Sequence, residues 1–160
     1  MTIEQSTKQI WSELENNLFA VLGMVTAKGE ARTVGIVYVV DKQKLYIASK
    51  NNTWKVRHIQ ENAHVSLTVT IPKRIIFMPW IKIPAATITF SGTGTILNPN
   101  DVGKDVSNSL LRGLETDSEM LATMSVIEVQ PVGDFITYGV GVPLMTMRNP
   151  EKARGRAPVG

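Results

Sequence analysis

The chain has 160 residues, enough for one domain with its own hydrophobic core, and its mean hydropathy lies close to zero. With 43% apolar and 19% charged residues it is no disordered chain, and the absence of cysteine excludes disulfides, thiolate nucleophiles and zinc–thiolate centres. The formal charge of +3 resides wholly in residues 148–160; within the neutral remainder, residues 28–82 hold ten Lys/Arg against three acids and residues 101–134 seven acids against two bases.

Residues 4–18 read as an amphipathic helix, with Ile10, Trp11, Leu14 and Leu18 at three- and four-residue spacing. The apolar run Phe19–Val25 fits a strand, Lys28-Gly29 a turn, and the β-branched run Thr33–Val40 a second strand. A hairpin turn over Asp41–Lys44 leads into Leu45–Ala48. Thr53 is placed to cap a short helix over Trp54–Asn62, and His64–Ile71 alternates as a strand until Pro72 stops it.

Residues 72–84 break the pattern. Pro72, Pro79 and Pro84 punctuate an apolar piece containing Ile75, Ile76, Phe77, Met78, Trp80, Ile81 and Ile83. Core packing, a dimer surface and a cofactor wall all remain open for it. Ala86–Leu97 is strand-like, with Gly92 and Gly94 as expected bend or bulge points. Asn98–Asp101 ends it, a helical stretch follows to about Leu111, and a second short helix is expected over Asp117–Thr123. Ser125–Val132 and Asp134–Val140 form a strand pair or one long strand kinked near Pro131–Gly133. Residues 148–160 read as a basic, flexible C-terminal tail appended to a single domain of residues 1–147. Six or seven strands joined by tight turns favour a mainly β, antiparallel barrel with a few short peripheral helices.

Chemistry concentrates in one segment. Ser49 ends a strand, and Thr53 and Lys55 stand at the start of the next helix beside Lys50 and Trp54. Free N–H groups of a helix start, two hydroxyls and a lysine charge suit a phosphate group. Arg32 would bring a second cation if its strand pairs in register with this one. No nucleophile elbow, dinucleotide fingerprint or Walker A segment occurs, and His58 and His64 lack acidic partners at useful spacing. A phosphate site without catalytic acids or bases fits a protein whose cofactor carries the chemistry.

The stretch from about Leu14 to Thr70, including "ARTVGIVYV" and "KLYIASKNNTWKVRHIQENAHVSLTV", resembles the FMN-binding split-barrel superfamily of pyridoxamine 5'-phosphate oxidase-like proteins. The resemblance implies a split barrel, Greek-key-like, and a phosphate clamp of Arg32, Ser49, Thr53 and Lys55, with Lys50 and Trp54 beside it. It also implies an isoalloxazine wall of Thr33, Val34, Gly35 and Ile47, and a homodimer whose second subunit closes the site. Trp54 stands where an arginine often sits, Val37 replaces a lysine of the pyridoxamine phosphate oxidases proper, and their C-terminal substrate segment is missing. The expected activity is therefore FMN-dependent oxidoreduction of an unknown small substrate. An F420-dependent reductase and a non-catalytic flavin- or haem-binding protein are the alternatives. Nucleic-acid binding is disfavoured by the few aromatics, four Phe, three Tyr and three Trp. No basic-then-apolar leader and no apolar run of roughly 20 residues is present, so a cytoplasmic protein without a membrane partner is expected.

Overall fold

In the computed structural model, which describes residues 3–112 and 117–160, nine strands join into a single curled sheet. They are β1 (Ile3–Glu4), β2 (Phe19–Val25), β3 (Ala31–Val37), β4 (Val39–Asp41), β5 (Lys44–Lys50), β6 (His64–Ile71), β7 (Ala86–Leu97), β8 (Met124–Tyr138) and β9 (Arg154–Pro158). Short helices lie between them: α1 (Thr7–Glu15), α2 (Trp54–Glu61), α3 (Lys104–Leu111), α4 (Ser118–Ala122) and α5 (Pro150–Ala153). The strand order is β1-β9-β8-β7-β6-β2-β3, with β4 and β5 joined to β8 off this path. Every pairing except β1–β9 is antiparallel. The fold is mainly β and antiparallel, as the turn spacing anticipates, and a split barrel, as the resemblance implies.

β8 is one long strand, and it makes the split. One edge pairs with β7 throughout, while the other pairs first with β5 (Met124–Val129) and then with β9 (Asp134–Tyr138). The register shift falls between Thr89 and Ser91 of β7, where β8 advances from Val132 to Ile136 and Gly133 takes a positive φ of 74°. The extra residues thus belong to β8, not to Gly92 or Gly94. Those glycines serve close approach instead: a Cβ on Gly94 would stand 2.8 Å from Ile59 Cγ2 of α2.

The core follows the period-2 and period-3.6 patterns. Ile10, Trp11 and Leu14 of α1 pack on Leu22, Leu67, Val69, Ile88 and Phe135, each side chain contributing about 1.5–3 kcal/mol by leaving water. Phe135 meets the rings of Trp11 and Phe90 edge-on, at centroid distances of 5.3 Å.

Three expectations change, and one segment left open by the sequence takes shape. The helix at the N-terminus is shorter than residues 4–18, because Ile3–Glu4 pairs with β9 and Leu18 lies beyond the helix, half exposed. The run Thr33–Val40 divides at Tyr38, whose buried hydroxyl donates to Leu14 O at 2.8 Å and whose N–H donates to Leu18 O at 3.0 Å. Residues 148–160 are no loose tail. Gly155, Ala157 and Val159 point inward, the arginines between them face solvent, and Val159 O accepts the Trp11 Nε1–H at 3.0 Å. Residues 72–84 form a loop built on two turns, Met78 N–H to Ile75 O and Ile81 N–H to Met78 O, whose tip stays outside the core.

Among the described residues, no helix is long and apolar enough to cross a membrane.

Candidate functional site

The division of the chain at Tyr38 shapes a cleft. β3 continues beside β2, while β4 turns away to pair with β5, Val39 opposite Tyr46 and Asp41 opposite Lys44. The outer side of this parting is apolar. Gly35 and Val37 line it from β3, Val39 from β4, and Ile47 and Ala48 from β5. Gly35 matters for its missing side chain: the Phe19 ring already lies 3.0 Å from where a Cβ would be.

Lys55, in the first turn of α2, and Ser109 and Arg112, at the end of α3, supply the polar part of the lining. The volume is about 480 Å³, within the range of small-ligand pockets. Helix α3 is held there because Val106 and Leu110 pack on Tyr46 and Val126, on the outer faces of β5 and β8. Two cations and a hydroxyl thus share the lining with apolar side chains, a combination that suits a ligand with an apolar and an anionic part.

Of the residues singled out from sequence, the structure brings Gly35, Ile47 and Lys55 to this cleft. Ser49 and Thr53 meet each other instead, with their hydroxyl oxygens 2.8 Å apart, and the Thr53 hydroxyl also donates to Lys50 O at 3.1 Å. Thr53 occupies the N-cap position of α2, but its side chain makes no cap hydrogen bond. Lys50 is exposed, and Val34 packs partly into the core. Trp54 lies edge-on to His58, ring centroids 5.6 Å apart, so His58 is a packing residue.

Arg32 and Thr33 do not join the cleft. They line a separate hollow with Gly23, Met24, His64 and Ser66, and Arg32 pairs with Glu30 at 2.6 Å on the surface. The reason is topological: β3 pairs with β2, and only the short β4 pairs with β5, so the Arg32 end of the hairpin diverges. Sequence reasoning did not place at the site Ile36, Val37, Val39 and Ala48, which neighbour its candidates along β3–β5, or Ser109, Leu110 and Arg112, which come from the distant α3. The one available signal for α3 was an apolar stripe, Val106 and Leu110, that needed a sheet face to cover.

Below the cleft a small polar cluster ties β5 to β8. Glu128 accepts from Lys44 Nζ at 3.0 Å and from the Tyr46 hydroxyl at 3.2 Å. Burial, with the Glu128 carboxylate beside it, pushes the Tyr46 phenol up to about 12. The loop before α2 is fixed to the same strand: Asn51 donates from Nδ2 to Ala122 O and accepts from the Ser125 hydroxyl.

The chain is thus a curled split barrel with a cleft lined by apolar side chains and two cations. The family model for pyridoxamine 5'-phosphate oxidase matches residues 6–134, and the chain belongs to that family. Solved structures share the fold at low identity. An F420 reductase is 21% identical with a TM-score of 0.55, over 78% of this chain and 93% of its own. A FAD-binding protein from Mesorhizobium loti is 17% identical with a TM-score of 0.60, over 79% and 90%. A heme binding protein from Mycobacterium smegmatis is 10% identical with a TM-score of 0.67, over 99% of this chain and 60% of its own. No curated protein sequence matches the chain closely enough to count as a relative.

Proposed function

We propose that the cleft takes FMN and that the protein is an FMN-dependent oxidoreductase acting on a small substrate. The observation that carries this reading is a cleft whose lining combines apolar side chains with the cations Lys55 and Arg112. Those two cations and the Ser109 hydroxyl would hold the phosphate, and Gly35, Val37, Val39 and Ile47 would bound the ring system. When bound, the flavin supplies two-electron redox chemistry. The chain's own residues bind it, orient it and exclude water from its faces. Among the described residues that line the cleft there is no carboxylate or histidine.

The exposed apolar rim supports a homodimer. Phe19 and Val37 are register partners on the open face of β2–β3, and Leu18 adjoins them, all about half exposed. A second copy of the chain laid on this rim would cover it and close the cleft.

A second reading is a reductase that uses F420, whose longer anionic tail would also suit the cations. It is favoured by the likeness to the F420 reductase. The test is to purify the protein, release any bound small molecule and identify it by absorption spectrum and mass. FMN is the expected product. A deazaflavin would establish the second reading, and haem would overturn both.

A further inference from the structure

We infer that the loop of residues 72–84 is an interfacial anchor that rests on a bilayer carrying anionic lipids. Its tip is the most exposed apolar feature of the described residues: Ile76 and Phe77 are 87% exposed and Trp80 73%. Soluble proteins rarely leave such side chains together in water without a partner. Met145, 71% exposed, belongs to the neighbouring segment that backs the loop. Behind the tip, Ile75, Ile81, Leu144 and Met147 line an apolar hollow of about 270 Å³ that also touches Lys82 and Arg148.

Charge selects the occupant. From Asn62 to Asn100 the chain has no Asp or Glu, while Lys73, Arg74 and Lys82 stand within the loop itself. A projecting tip of aromatic and aliphatic side chains flanked by cations matches the bilayer interface: apolar groups enter the headgroup boundary while the cations meet lipid phosphates. Trp is well suited to that depth because its ring is apolar and its N–H polar. A second copy is the rival occupant, and the oligomeric state of the loop variants separates the two. An interfacial contact of this kind needs no membrane-spanning segment.

Co-sedimentation with vesicles tests the inference, using phosphatidylcholine alone and phosphatidylcholine mixed with phosphatidylglycerol. The full chain is expected to sediment with the mixed vesicles, to be released by high salt, and to bind phosphatidylcholine alone about tenfold less. Trp emission should shift to the blue on binding, and the shift should vanish in Trp80→Phe. The triple variant Ile76→Ser, Phe77→Ser, Trp80→Ser should lose binding by about tenfold or more while keeping the wild-type melting curve. Lys73→Glu with Arg74→Glu should lose it as well, with the apolar tip intact. The inference is overturned if the wild type stays in the supernatant with both vesicles, or if neither variant changes its binding. It is equally overturned if the triple variant alters the oligomeric state in light scattering without vesicles, which would make the loop a contact between copies.

Discussion

Along β8, the residues before Gln130 and those after Gly133 lean on different partners, and the two halves are built differently. The later half pairs with β9, and its inward face is covered by α1 and the barrel core. Phe135 is enclosed by Trp11 and Phe90, the Trp11 N–H is bonded to Val159 O, and Gln5 Nε2 donates to Val140 O at 2.8 Å. The earlier half pairs with β5 and backs the cleft. There the apolar Val37 stays exposed, and among the described residues Lys55 and Arg112 make no salt bridge. The β9 half is tied to the rest of the chain by these long-range contacts, although the Thr137 hydroxyl is buried without a partner and Ile136 is half exposed; the β5 half leaves two cations and an apolar side chain open to a ligand. Stability is expected to reside in the first and binding in the second, because binding groups are drawn from the less satisfied part of a fold.

Perturbations of the β9 half should be the largest. Deleting residues 148–160 removes β9 from β8 and β1 and strands the Trp11 N–H, so cooperative unfolding should be lost by circular dichroism. A folded, cooperatively melting truncation would show that the two halves do not differ as described. Phe135→Ala empties a fully buried aromatic site and should cost about 3–5 kcal/mol in denaturant titrations, with the FMN affinity of the remaining folded protein unchanged.

In the cleft half the effects move to binding. Lys55→Ala and Arg112→Ala should each weaken FMN binding by about tenfold, the loss of one charge-assisted contact, with melting temperatures shifted little. A fall in stability larger than the fall in affinity would place these cations in the scaffold. The smallest effect concerns pH. The Tyr46 phenol is held at about 12 when folded, above its ordinary 10.0, so the folded state binds its proton more tightly than the unfolded chain. Its contribution to stability is whole below pH 10 and lost as pH rises towards 12. Tyr38, raised further by burial, acts in the same direction. Tyr46→Phe should flatten part of the alkaline fall in melting temperature, and an unaltered slope would show that Tyr46 does not contribute to it.

Much of the frame was legible in the sequence because its boundaries are chemical. Phe19–Val25, His64–Ile71 and Ala86–Leu97 are observed at the expected bounds, the second stopped by Pro72 and the third by Asn98-Pro99. β9 was missed because its inward residues are Gly155 and Ala157, too small to mark an apolar face, while its arginines suggested a solvated tail. The break at Tyr38 was hidden inside an uninterrupted β-branched run, and only the long-range bond to Leu14 O reveals it. At the site, Lys55 could be read from local spacing, whereas Arg112 arrives from a helix that follows it by half the domain. Arg32 misled because its usefulness depended on hairpin register, which tertiary pairing decided otherwise.

The account turns on the cations of the cleft recognising a phosphate, and the direct test is a titration of apoprotein with FMN and with riboflavin. The wild type should prefer FMN by about tenfold or more. Lys55→Ala should erase much of that preference, and Arg32→Ala, paired to Glu30 outside the cleft, should leave it intact. Equal affinity for the two flavins, or a preference abolished by Arg32→Ala and kept by Lys55→Ala, would contradict it.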